Sequence, residues 1–164
     1  MVNSNLNLSA AAERVQRAVR AKGFDFEVLE LPESTRTAAE AAEAVGCTVA
    51  EIAKSLVFKS CNSGQAVLVI TSGGNRVDTQ KIATLLGETV DKADADFVRQ
   101  NTGFVIGGVP PTGHLEPLRT FIDEDLFRFG TVWAAAGTPR SLFSMPAHLL
   151  RALTGGISAN VRVD

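Results

Sequence analysis

The chain has 164 residues, 45% of them hydrophobic, which is enough for one well-packed core and too little for two. No apolar run approaches the ~20 residues of a bilayer span, and Met1 to Ser9 lack the basic start and apolar centre of a signal peptide, so a cytoplasmic protein is expected. A formal net charge of −2 and an aromatic content of 6% argue against a protein that holds long duplex by counterion release or stacks many bases, so any nucleic-acid contact should be local.

From Ser9 to Lys22, Ala11, Ala12, Val15, Ala18 and Val19 recur at helical spacing, and Gly23 is the stop. Arg14, Arg17 and Arg20 lie on the outer face of this helix, an ordinary solvated surface or a contact for RNA phosphates. Phe24, Phe26 and Val28 alternate with Asp25 and Glu27, the period of a half-buried strand. Thr37 before Ala38-Ala39-Glu40 and Thr48 before Val49-Ala50-Glu51 are capping-box signatures, and each should begin a short helix.

Ser55 to Lys59 and Ala66 to Thr71 read as strands joined across Asn62-Ser63-Gly64, a hairpin. Asp78 or Thr79 should cap a helix running to Gly87, and Ala93 to Gln100 forms another. Strand patterns recur at Phe104–Ile106, Leu118–Ile122, Thr131–Ala135 and Leu142–Ser144, and Pro146 opens a final helix through Leu153. Helices and strands mix without strict alternation, which predicts one compact α+β domain over residues 1–164. Its sheet should be curved, barrel-like, mixed and mainly antiparallel, with helices around it; a doubly wound parallel sheet is the alternative.

Two segments carry chemistry. Gly107-Gly108-Val109-Pro110-Pro111-Thr112-Gly113-His114 is both permissive and stiff: glycine lets backbone amides approach a ligand, and proline fixes φ and withholds its own donor. Such a loop makes either a backbone cradle for a carbonyl or oxyanion, or a plain stiffened turn. Lys54, on the Leu56 and Phe58 side of its strand, is placed to hold a phosphate or a polarised acyl oxygen, more strongly if desolvated, or else to snorkel to water. His114 suits a hydrogen bond to substrate, proton transfer or bracing of the loop, whereas His148 reads as packing or surface. No metal-ligand set surrounds either histidine, and neither Cys47 nor Cys61 has a catalytic, disulfide or zinc signature; no cofactor is expected.

The order of segments resembles the YbaK/ProX family. The resemblance rests on Thr37-Ala38-Ala39-Glu40-Ala41-Ala42, then Ile52-Ala53-Lys54-Ser55-Leu56-Val57-Phe58, then Arg76-Val77-Asp78 before a Lys-Ile-Ala-x-Leu-Leu-Gly helix, then the glycine-proline loop, over roughly Phe24 to Ala152. It implies a compact α+β fold and hydrolysis, in trans, of the ester between a wrongly attached small amino acid and the 3' end of tRNA, most naturally alanine on the proline tRNA. The family's essential lysine falls on Lys54 and its G-x-x-x-P loop on Gly107 to Pro111. Lys54, Gly107 and Gly108 are the catalytic candidates; Thr35, Arg36, Val109, Pro110, Pro111, His114 and Gly137 are the substrate-binding candidates.

The implied partners are mischarged tRNA and prolyl-tRNA synthetase or another synthetase, with no membrane and no metal. Leu31-Pro32 and Ser34-Thr35-Arg36 stand where several relatives have a histidine, and Pro-Pro-Thr-Gly-His stands where others have Ser-Pro-Phe-Gly, so cysteine, serine, threonine or proline is an alternative specificity. A non-catalytic tRNA or aminoacyl-adenylate binding module, and a small-molecule hydrolase or regulatory protein acting without tRNA, are the competing functions.

Overall fold

The computed structural model describes residues 8–164. Helix α1, Ala10–Ala21, is capped by Ser9, whose side chain accepts from the Ala12 N–H, and it buries Ala12, Val15, Gln16 and Val19. The expected strand at Phe24–Val28 does not join a ladder; only Leu29–Glu30 does, as β1. The reason is Gln16. Its Nε2–H donates to the Phe26 carbonyl and its Oε1 accepts from the Val28 N–H, both at 2.8 Å, so one buried helix side chain replaces the ladder while Phe24 and Phe26 stack at 5.0 Å against the core.

Helix α2, Ala38–Val45, starts on a complete Thr37/Glu40 capping box. The second capping box forms as well, but Val49–Glu51 makes only a 3-10 turn that feeds β2, Ile52–Ser60. β2 and β3, Ala66–Ser72, are the expected hairpin. Next come α3 (Thr79–Leu86, capped by Asp78), β4 (Val90–Lys92) and α4 (Ala95–Thr102, capped by Asp94). β5 (Arg119–Asp123), β6 (Thr131–Ala135) and β7 (Ser141–Pro146) follow as expected, then α5 (Leu150–Thr154) and β8 (Ile157–Ala159). Phe104–Ile106 is not a strand; it leads into the turn that the Gly108 N–H closes on the Val105 carbonyl at 3.0 Å.

The strands form one mixed sheet in the order β1-β7-β6-β2-β3-β5-β8, with β4 also on β2. Antiparallel pairing joins β1 to β7, β6 to β7, and β2 to both β3 and β4; parallel pairing joins β2 to β6, β3 to β5, and β5 to β8. The topology is therefore α+β rather than doubly wound.

One detail of this sheet positions the site. On the side of β2 away from β3, Ile52 and Ala53 pair with β6, and Phe58, Lys59 and Ser60 pair with β4. From Lys54 to Val57 that edge has no ladder partner among the described residues. Alternation sends Leu56 and Phe58 to a cluster with Val67, Val69 and Ile82, and sends Ala53 and Val57 to the larger core with Leu68, Ile70, Val98 and Val109.

Candidate functional site

A cleft of about 350 Å³ opens at this unlatched edge. It is lined by residues 52–58 of β2, by Thr35–Ala38 and Ala41, and by Ile106, Gly107 and Val109, so Lys54 and the start of the glycine-proline loop border the same cleft. The lining is mostly apolar. Its charged members are Arg36, Lys54 and Lys92, with no Asp or Glu among them. All three cations are exposed, and none has a side-chain hydrogen bond or ion pair among the described residues. Lys54 thus stands at a wet mouth, not in the desolvated setting that would amplify its charge.

The loop wall is held from behind. Arg14 on α1 donates to the Gly103 carbonyl at 2.8 Å and lies over the ring of buried Phe104, at 4.5 Å from its centroid, which ties α1 to the segment entering the loop. Gly107 has φ +89°, and a Cβ there would lie 2.8 Å from Arg36 Cγ; the glycine makes room for the arginine stem to cross the loop. The Gly107 and Val109 N–H groups have no acceptor among the described residues. Gly108 differs: its N–H is spent on Val105, its carbonyl accepts from the Gly137 N–H at 2.9 Å, and it does not line the cleft.

The other candidates divide in the same way. Thr35 is buried in the cleft wall, with its Oγ1–H donating to the Pro139 carbonyl at 3.2 Å. Pro110 is buried behind the wall, and Pro111 and His114 line a second cavity against Ala18, Ala21 and Lys22 of the first helix and its end. The His114 Nε2–H donates to the Pro110 carbonyl at 2.7 Å, which fixes the tautomer because a carbonyl only accepts. Burial, first, and the Lys22 charge push the His114 pKa down, against the raising effect of the Pro110 carbonyl. Of the roles open to His114, the geometry matches bracing of the loop. Gly137, at φ +104°, lets α1 pass so closely that a Cβ would lie 2.7 Å from the Ala11 carbonyl oxygen.

Two lining residues had no signal of their own in the sequence. Lys92 enters through β4, a three-residue strand without a usable hydrophobic period. Ser55 follows Lys54 in the strand, and its Oγ is buried without a hydrogen-bond partner among the described residues.

A cationic mouth over an apolar interior is a site for a ligand with an anionic end and a small, largely uncharged end. Residues 32–153 match the family model of the aminoacyl-tRNA editing domain, and the chain belongs to that family. It is similar to the "Uncharacterized protein YwhH" of Bacillus subtilis (strain 168), at 32% identity over 119 residues, 73% of this chain and 75% of that one. Among solved structures, it resembles "a putative trans-editing enzyme for prolyl tRNA synthetase", with a TM-score of 0.91 and 49% identity over 96% of this chain and 100% of the other. It also resembles "hypothetical protein APE2540", with a TM-score of 0.85 and 29% identity over 92% and 99% of the two chains.

Proposed function

We propose that the protein is a trans-acting aminoacyl-tRNA deacylase that hydrolyses the ester of a small, wrongly attached amino acid, with alanine on the proline tRNA as the foremost substrate. The observation that carries this reading is the convergence of Lys54 with Gly107 and Val109 on one cleft with a cationic rim and no carboxylate in its lining. The terminal phosphodiester is held at the mouth by Lys54, with Arg36 and Lys92 beside it. The aminoacyl group lies inward, its carbonyl oxygen within reach of the uncommitted Gly107 and Val109 amides, which favour the charge that develops there when water adds.

Water attacks the ester carbon, the bond to the ribose oxygen breaks, and that oxygen is protonated as the amino acid leaves as a carboxylate with release of one proton. With no acidic side chain lining the cleft, the neighbouring ribose hydroxyl of the substrate orients the water. A second sieve of this kind answers a physical limit: an apolar pocket discriminates by only ~1–3 kcal/mol per methylene, so a synthetase pocket built for proline rejects the smaller alanine only weakly.

The test is amino-acid release from alanyl-, cysteinyl-, seryl-, threonyl- and prolyl-tRNA. Alanyl-tRNA for proline should be cleaved fastest, and Lys54→Ala should lower kcat/KM by about 100-fold, about 2.7 kcal/mol, with an unchanged far-ultraviolet spectrum. Normal turnover by that variant, or binding of every tRNA with hydrolysis of none, rejects the reading.

A further inference from the structure

The hydrogen bonds at the two ends of β2 fix which main-chain groups face its bare edge. The Ile52 carbonyl accepts from the Gly73 N–H and the Ser60 N–H donates to the Gln65 carbonyl, both on the β3 side, whereas the Cys61 N–H donates to the Thr89 carbonyl on the β4 side. Successive strand residues send their N–H and C=O to opposite edges, so even-numbered residues of β2 serve β3 and odd-numbered ones the outer edge. In the gap the outer-edge residues are Ser55 and Val57. The Ser55 N–H, the Ser55 C=O and the Val57 N–H have no hydrogen-bond partner among the described residues. Ser55 is half-buried although its Oγ is out of reach of solvent, so its exposure belongs to the main chain and Cβ. Ser55 and Val57 both line the cleft, together with apolar Ala53, Val98, Val109 and Ile106, the last of them 47% exposed. Main-chain groups inside a fold are almost always paired, and an open donor-acceptor-donor row beside apolar surface calls for a ligand that completes it.

Such a ligand needs a donor and an acceptor side by side on a flat, otherwise apolar body. An ammonium only donates and a phosphodiester only accepts, so neither end of an aminoacyl nucleotide completes the row. A peptide strand carries both groups, but β6 and β4 close the gap at its two ends and leave an added strand nowhere to run. Adenine fits: its N6 amine donates, the ring nitrogens N1 and N7 on either side of that amine accept, and its faces are apolar. The terminal nucleoside of a tRNA is an adenosine, tethered between the phosphate held at the mouth and the ester at the Gly107 and Val109 amides. We propose that the bare edge of β2 is the subsite for this terminal adenine, with the Ser55 carbonyl accepting from N6, the Val57 N–H donating to N1 or N7, and the ring lying against the apolar lining that includes Ile106. The inference rests on the deacylase reading and adds to it a reader of the terminal base made of main chain alone.

The experiment has two readouts, both on the unaltered protein. In the first, kcat/KM is measured for alanyl-tRNAs that end in adenosine, in purine riboside, which lacks the amine, in 1-deazaadenosine, which lacks N1, or in 7-deazaadenosine, which lacks N7. Purine riboside should lower kcat/KM by about tenfold, the scale of a hydrogen bond whose partner is left unpaired, and so should one of the two deaza analogues but not the other. In the second, amide hydrogen exchange is followed by NMR with and without AMP, which carries the adenine and its 5′-phosphate. The Val57 amide should exchange faster in the free protein than those of Leu56 and Phe58, which face β3, and it should slow on addition of AMP but not of purine riboside monophosphate. Equal turnover of the four tRNAs, equal losses for both deaza analogues, or a Val57 amide indifferent to AMP overturns the subsite, while hydrolysis of the natural alanyl-tRNA keeps the deacylase reading. A protein that cleaves none of the four removes the deacylase reading, and the AMP readout then decides the subsite alone.

Discussion

Arg36 and Gly107 define each other at the rim. Only a residue without Cβ accepts φ +89° and leaves the arginine stem its path. Gly107→Ala should raise KM for tRNA and lower kcat together, because it displaces a cation and an amide in one step; steady-state kinetics on alanyl-tRNA reads both. Gly137→Ala tests a glycine used for packing instead. Its Cβ would meet backbone, not a flexible side chain, and denaturant unfolding should show a loss of about 2–3 kcal/mol. His114 gives a pH signature. Its folded-state pKa is depressed, so the unfolded chain binds more protons below the ordinary histidine pKa. Stability should be full above about pH 6.5 and fall as the pH drops toward the folded value. Titration of unfolding should show this dependence, and His114→Gln should remove it.

At the scale of elements, one side chain does the work of a strand. Gln16→Leu keeps the volume but leaves the Phe26 carbonyl and Val28 N–H without their partner, and it should cost about 1–3 kcal/mol in denaturant unfolding, with the loss centred on the α1 to β1 connection. This clamp also explains what the sequence could not disclose. The alternation of Phe24, Phe26 and Val28 correctly marks extended, inward-facing chain, but alternation reports burial and says nothing about who supplies the hydrogen bonds. Helices announced by capping chemistry, α2 at Thr37 and α3 at Asp78, were legible because cap and helix are neighbours in sequence. The three-residue strands β4 and β8 were not, since their pairing is set by distant partners, Phe58–Ser60 and Phe121–Asp123. The site follows the same rule. Lys54 and Gly107 could be read from local pattern and family resemblance, while Lys92 and Ser55 become visible only where β2 is released by β6 and β4.

For the whole molecule, the overall charge and the local field have opposite signs. The chain is net acidic, yet the cleft mouth carries three cations free of partners among the described residues, so repulsion at long range is overcome only for a nucleic-acid end that reaches the rim. Affinity for tRNA should fall with salt, with a slope of log K against log salt concentration of about −2, as expected when two or three phosphates of a single-stranded end are neutralised. Lys92→Ala should flatten this slope by nearly one unit while sparing the selectivity among amino acids. An affinity independent of salt would show that the rim does not meet phosphate.

The gap in the sheet has one more consequence. The ladders that flank the gap end at Ala53 and begin at Phe58, five strand steps or about 17 Å apart, and that distance is a ruler built into the backbone. Along that ruler, adjacent residues look to opposite sides, and inserting a single amino acid into β2 would exchange the orientations of Lys54 and Ser55. Divergence of the pocket is thereby channelled into replacing side chains at constant strand length, and indels should be confined to the turns.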